Sequence, residues 1–159
     1  MNHKIIRINK DNYQAFSQLI NWRRLGHQTQ KQVDFLDEET QAFFHDFDVL
    51  DSKTFYIYAI EVEGELRGYI NGVVIPKPDP RKGIMYVDEL WVPDIYRNKG
   101  YASLLMEAIH QEAKALDLWR MRLYVATDNH VARNYYKKVG YKDLGGAQCC
   151  EINLKEIFI

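Results

Sequence analysis

Cysteine is almost absent from this chain. Its two cysteines, Cys149 and Cys150, are adjacent, and neighbouring cysteines rarely bridge each other. No disulfide framework and no C-x-x-C zinc knuckle is present, so the pair is read as two small, soft strand side chains. His27, His45, His110 and His130 are scattered without metal-ligand spacing, and no metal site is expected. No apolar run approaches the roughly 20 residues of a membrane span. The amino end, MNHKIIRINKDN, lacks the basic-then-apolar layout of a signal peptide. Net charge is only -1, which argues against a general nucleic-acid binder. No internal repeat, low-complexity tract, Ser–His–Asp constellation or second domain stands out. These absences point to a reducing cytoplasm, with no membrane and no nucleic-acid partner.

What is there is apolar and aromatic. Of 159 residues, 47% are hydrophobic and 11 are tyrosine, which suits one globular domain over residues 1–159. Residues 4–8, KIIRI, read as a first strand. Asp11 stands where a helix cap belongs, and Tyr13, Phe16, Leu19, Ile20 and Trp22 recur at helical spacing up to Gly26. A polar connection, 27–32, leads to a helix-like stretch with Phe35, Leu36, Phe43, Phe44, Phe47 and Leu50. Residues 54–62 and 66–75 read as strands around a Glu63-Gly64-Glu65 hairpin turn. The loop KPDPRKG at 77–83 precedes a fourth strand, IMYVDELWV. A helix over 99–117, a strand at 121–126, a helix capped by Asp128 or Asn129, and two strands around Gly145-Gly146 complete the order. The strand–helix–strand unit at 85–126 predicts a right-handed parallel crossover in a mostly antiparallel sheet.

Two motifs carry chemistry. The first is R-x-x-G-x-A, from Arg97 through Gly100 to Ala102, where the long helix begins. Such a turn points free backbone N–H groups at one spot, where the helix dipole adds about half a positive charge. That suits a phosphate or pyrophosphate. Gly100 lets the backbone come close, while Arg97 and Lys99 add charge. The second motif, about thirty residues on, is NHVARNYYKKVGY from Asn129 to Tyr141.

Together the motifs resemble the GCN5-related N-acetyltransferase (GNAT) superfamily. Its pattern L-x-V-x-P-x-x-R-x-x-G-x-G/A is met by Leu90, Val92, Pro93 (displaced by one), Arg97, Gly100 and Ala102. Its pattern N-x-x-A-x-x-F/Y-Y-x-K-x-G-F/Y is met by Asn129, Ala132, Tyr135, Tyr136, Lys138, Gly140 and Tyr141. The element order fits across the chain. The resemblance implies an α/β fold of the α+β kind: a mixed, mostly antiparallel six- to seven-stranded sheet, helices on both faces, and splayed fourth and fifth strands. It implies acetyl-CoA as cosubstrate, direct acetyl transfer and no metal.

The resemblance also implies roles. The backbone of Leu90, Trp91 and Val92 would hold the acetyl carbonyl and pantetheine arm, with an N–H as oxyanion donor. The amides of Asn98, Lys99, Gly100, Tyr101, Ala102 and Ser103 would cradle the pyrophosphate, with Arg97 and Lys99 adding charge. Asn129 would cap its helix and contact pantetheine or substrate. Tyr136 would be the general acid, because a tyrosine hydroxyl with a pKa near 10 is protonated at neutral pH; Tyr135 would be core. A primary amine must lose a proton before attack, at about 4–5 kcal/mol at pH 7. Asp88 and Glu89, expected on opposite faces of the fourth strand, are the two candidate bases. Between Lys31 and Lys53 lie Asp34, Asp37, Glu38, Glu39, Asp46, Asp48 and Asp51 with no lysine or arginine. This run is either a rim steering cationic amines or a solvated helix face.

The expected activity is N-acetylation of a small cationic amine. The alternatives are acetylation of a protein α-amino or lysine group, and a catalytically silent acyl-CoA-binding module. An exposed edge strand near the carboxyl end would let two copies pair as a homodimer.

Overall fold

The computed structural model describes residues 2–26, 32, 34–36, 38–40, 42, 48–146 and 149–152. The chain forms two compact units, Met1–Tyr124 and Val125–Ile159. The first contains strands β1 (His3–Arg7), β2 (Phe55–Val62), β3 (Glu65–Ile75), β4 (Ile84–Trp91) and β5 (Arg120–Leu123), with helices α1 (Tyr13–Leu25) and α2 (Tyr101–Ala115). The second contains helix α3 (His130–Lys138).

The sheet runs in order β1-β2-β3-β4-β5. Its first four strands pair antiparallel, and β5 joins β4 in parallel after the α2 crossover. The β2–β3 connection is a two-residue turn, since Val62 pairs with Glu65. Both turn residues have positive φ, 55° at Glu63 and 85° at Gly64, the type I′ geometry that matches strand twist.

The helices cover opposite faces of the sheet. On the α1 face, Tyr13, Phe16 and Leu19 pack with Ile8, Leu50, Ile57, Ala59 and Tyr69. Successive strand residues point to opposite faces, so Gly68 and Gly72 flank Tyr69 on the other side. A side chain at Gly72 would meet Ile109 of α2, and one at Gly68 would meet Leu105. Leu105 and Ile109 have no exposed surface, and burying each contributes about 1.5–3 kcal/mol. Expectation and structure agree on helices at both faces and on the parallel crossover.

Three expectations change. Among the described residues the sheet has five strands rather than six or seven. Residues 141–146 and 149–152 are not in strands. Gly145 and Gly146 sit at φ 56° and 69°, and Asp143 accepts the Gly145 amide at 2.9 Å; the turn between the expected strands is there, but the chain beside it joins no sheet. Asp11 does not cap α1. Asn12 occupies the cap position without a side-chain cap bond, because its amide side chain is tied back to the Arg7 carbonyl and the Asn9 amide. In the acidic segment, residues 34–36 and 38–40 are helical and Val49–Asp51 forms a 3-10 turn. His27, Asp37, Phe43, Phe44, His45, Asp46 and Phe47, and the far carboxyl end proposed for pairing, lie outside the described residues.

Candidate functional site

Strand β4 is longer than its partner allows. Its pairing with β5 runs from Ile84–Arg120 to Val87–Leu123 and stops there, while β4 continues to Trp91. From Asp88 onward, one backbone edge of β4 is released from β5. The other edge stays paired with β3, where Asn71 faces Glu89, Ile70 faces Leu90 and Tyr69 faces Trp91. The Glu89 amide turns toward β3, donating to the Asn71 side chain at 2.8 Å. Backbone groups alternate along a strand, so the Leu90 N–H and C=O point to the released edge.

A bulge lies at the point of release. Gly72 pairs with Val87 and Asn71 with Glu89, leaving Asp88 as the extra residue. This interrupts the strict alternation on which an opposite-face placement of Asp88 and Glu89 was expected. Before the bulge, Met85 lies on the α2 face, next to where a Gly72 side chain would stand. After it, Glu89 and Trp91 lie on the α1 face: Glu89 meets Tyr69, and Trp91 packs edge-to-face on Trp22 with ring centres 5.8 Å apart. Asp88 is exposed.

Glu89 is held from two elements. The Tyr69 hydroxyl of β3 donates to its Oε2 at 2.5 Å. The Arg23 guanidinium, near the end of α1, pairs with its Oε1 and reaches the Tyr69 oxygen at 3.0 Å. Burial, reinforced by the Glu89 bond, pushes the Tyr69 hydroxyl well above its ordinary value. It therefore remains a donor throughout the neutral range.

Beyond β4, Pro93 leads into a 3-10 turn at Asp94–Tyr96. The Arg97 side chain folds back: its Nε donates to the Val92 carbonyl at 3.1 Å and its Nη1 pairs with Asp94 at 2.8 Å. Asn98 and Gly100 then adopt left-handed φ values of 61° and 80°. For Gly100 this is the conformation that only glycine takes without strain. Gly100 starts α2, and its carbonyl accepts the Ser103 and Leu104 amides. The amides of Asn98, Lys99, Gly100, Tyr101 and Ala102 have no acceptor among the described residues. The expected cradle thus keeps five free N–H groups, with the Ser103 amide turned inward. The Tyr101 side chain is buried, leaving only its backbone to offer. Lys99 Nζ lies 5.6 Å from the Tyr96 ring centre, and space beside Gly100 is open.

The second unit presents the tyrosine helix. Asn129 caps α3, its Oδ1 accepting the Ala132 amide at 3.0 Å. Gly140, at φ 99°, closes it; the Gly140 amide bonds the Lys137 carbonyl and the Tyr141 amide bonds that of Tyr136, a Schellman ending. The Tyr136 ring lies 5.4 Å from Tyr135 and 5.7 Å from Tyr141, centre to centre. Burial pushes the Tyr136 hydroxyl above its ordinary value, with a smaller contribution from Tyr135.

The sequence model of the acetyltransferase (GNAT) family matches residues 16–141. The chain belongs to the GNAT family. A Bacillus subtilis (strain 168) relative, the uncharacterized N-acetyltransferase YycN, is 24% identical over 95 residues. The match covers 59% of this chain and 60% of that protein, so the two correspond over rather more than half their lengths. The aminoglycoside acetyltransferase AAC(6')-Iy, solved with the bisubstrate analog CoA-S-monomethyl-acetylneamine, has a similar fold. Its TM-score is 0.73 at 13% identity, covering 96% of this chain and 99% of that one. A ribosomal-protein-alanine N-acetyltransferase from Brucella melitensis biovar Abortus 2308 gives 0.67 at 17% identity, covering 95% and 100%.

The residues of this GNAT chain fit a CoA pyrophosphate, since five free amides at a helix start make an anion cradle. Among the described residues no cluster of histidine, cysteine and carboxylates could hold a metal. No helix there is long and apolar enough to cross a membrane. Arg23 and Tyr69 were not visible as site residues in the sequence. Neither belongs to a motif, and they reach Glu89 from 66 and 20 residues away. Only the alternation of β3, which turns Tyr69 toward α1, gives a faint signal.

Proposed function

We propose that this protein transfers the acetyl group of acetyl-CoA directly to the primary amine of a small cationic molecule. The observation that carries this is the released edge of β4, which runs within ten residues into the turn of free amides at 98–102. Bound there, acetyl-CoA supplies an activated thioester carbonyl. The amides from Asn98 to Ala102 hold the pyrophosphate, and the backbone of Leu90 and Val92 takes the pantetheine arm, while Trp91 between them turns its backbone to β3. The Leu90 N–H offers a donor where negative charge builds on the carbonyl oxygen. Glu89 takes the ammonium proton of the acceptor, directly or through water. Of the two candidate carboxylates it is the one fixed in position, whereas Asp88 sits exposed on the bulge and serves to attract the cation. Tyr136 gives its proton to the leaving sulfur, and Asn129 contacts pantetheine. Residues 1–159 act together as one acetyltransferase domain.

The cationic acceptor is supported by the exposed Glu38 and Glu39, and by the aminoglycoside enzymes among the similar structures. Asp48 and Asp51 contribute less, since Lys10 pairs with both at 2.7 Å. A second reading, acetylation of a protein α-amino group, is favoured by the likeness to the ribosomal-protein-alanine enzyme. Assaying thiol release from acetyl-CoA against polyamines, aminoglycosides, amino-acid amides and peptide amino termini separates them. Turnover confined to peptides would replace the first reading by the second. Coenzyme binding without turnover on any acceptor would leave a silent acyl-CoA module.

A further inference from the structure

We infer that Tyr69 and Arg23 are positioning residues that lock the Glu89 carboxylate for proton transfer from the acceptor amine. This rests on the reading above, in which Glu89 meets that amine.

The geometry is a closed triangle. Tyr69 reaches Oε2 of Glu89 at 2.5 Å, Arg23 engages Oε1, and Arg23 also donates to the Tyr69 oxygen at 3.0 Å. Each member comes from a different element: α1, β3 and β4. A free glutamate side chain samples several rotamers; this one has both oxygens fixed while keeping 30% of its side chain exposed. Each carboxylate oxygen has two lone-pair sites, so an acceptor proton still has somewhere to go. Tyr69 is itself immobile. It is 1% exposed, with Phe16 edge-on at 5.2 Å and Trp91 at 6.2 Å between ring centres. Arg23 stacks its guanidinium 5.9 Å from the same ring centre. The charged and titratable groups facing Glu89 among the described residues are thus Arg23 from α1 and Tyr69 from β3, with Asp88 beside it on β4.

The pair does two separable things. The hydroxyl is uncharged and fixes direction. The guanidinium adds a positive charge that partly offsets the carboxylate's pull on a cationic acceptor. A donor to an ionised carboxylate is about twice as strong as a neutral one, so loss of either contact should be felt in kcat.

Tyr69→Phe removes one oxygen and leaves the packed ring. In the acetyl-transfer assay we expect kcat to fall roughly tenfold, with KM for acetyl-CoA unchanged. Arg23→Gln should lower kcat similarly and also lower KM for a cationic acceptor. The deciding arm is the double-mutant cycle with Glu89→Gln. If Tyr69 acts through Glu89, adding Tyr69→Phe to Glu89→Gln costs nothing further. An equal tenfold loss in both backgrounds would overturn the inference, because it would mark Tyr69 as packing alone. A Tyr69→Phe enzyme with wild-type kcat would overturn it too. Glu89→Gln with wild-type activity would instead overturn the assignment of Glu89, and with it the reading on which the inference rests. Thermal melting of each variant shows which losses are losses of fold, and Arg23→Lys supplies a second probe that keeps the charge but not the planar fork.

Discussion

Gly68→Ala should couple the core to the site. Gly68 lies in β3 beside the end of β4, next to the Tyr69–Trp91 pair. A methyl there would stand 2.9 Å from Val92 Cγ2, 3.0 Å from the Trp91 carbonyl oxygen and 3.5 Å from Leu105 Cδ1. Ordinary carbon contacts begin near 3.5 Å, so two of the three are too close by about half an ångström. Val92 cannot swing aside freely, since its β-branched side chain has one strongly preferred rotamer for a given backbone and is buried. The Trp91 oxygen is backbone and can move only if β4 moves. Overpacking of this kind costs about 1–3 kcal/mol, which for a chain of this length lowers Tm by roughly 2–4 °C per kcal/mol. The displacement falls on Trp91 and Val92, so coenzyme affinity should drop along with Tm. Differential scanning calorimetry and titration with CoA measure the two. An unchanged Tm would refute the packing reasoning, and a lower Tm with unchanged CoA affinity would show that the released edge of β4 is not the pantetheine site.

Other outcomes follow from single residues. Gly100→Ala keeps open space around the methyl but imposes a strained φ of 80°, so we expect a loss of about 1 kcal/mol in stability and weaker CoA binding. Asn129→Ala removes the α3 cap and should cost about 1 kcal/mol by denaturant titration. Tyr136→Phe should lower kcat at least tenfold if the phenol is the proton donor; unchanged turnover would end that assignment. Because burial raises the Tyr136 hydroxyl above 10, wild-type kcat should show no alkaline loss from this group until the pH exceeds 10. Burial also pushes the Tyr141 hydroxyl up to about 12. The folded form then stays protonated while the unfolded form ionises, so its stabilising contribution is whole below pH 10 and is lost between pH 10 and 12. Urea midpoints measured across that range should fall, and Tyr141→Phe should flatten the slope.

The turn of free amides at Gly100 and the tyrosine helix were legible as local structure because their signals are local. Gly100 at a left-handed φ, Asn129 at a cap and Gly140 at a helix end each depend on a few neighbouring residues. The arrangement around Glu89 was not legible, because it depends on register. The bulge at Asp88 changes which face every later β4 residue takes, and nothing in MYVDELWV marks it. The Glu89 partners come from residues 23 and 69, whose meeting follows from three-dimensional packing of α1 on β3. At the carboxyl end two strands were read around Gly145-Gly146; the left-handed glycines and the Asp143 side chain make the turn, but residues 141–146 and 149–152 pair with no strand. The acidic segment looked unopposed in sequence because Lys10, the partner of Asp48 and Asp51, lies 38 residues from the first of them.

Acetyl transfer to an amine is the activity proposed for this site. Purified protein with acetyl-CoA and a panel of small cationic amines, followed by thiol release and by mass spectrometry of the acceptor, tests it directly. Amine-dependent release of CoA with a matching 42-dalton gain (roughly one acetyl group in place of hydrogen) is expected on one acceptor class, sharply slowed but still measurable in Glu89→Gln. Tight CoA binding with no acetylated product from any amine would contradict it.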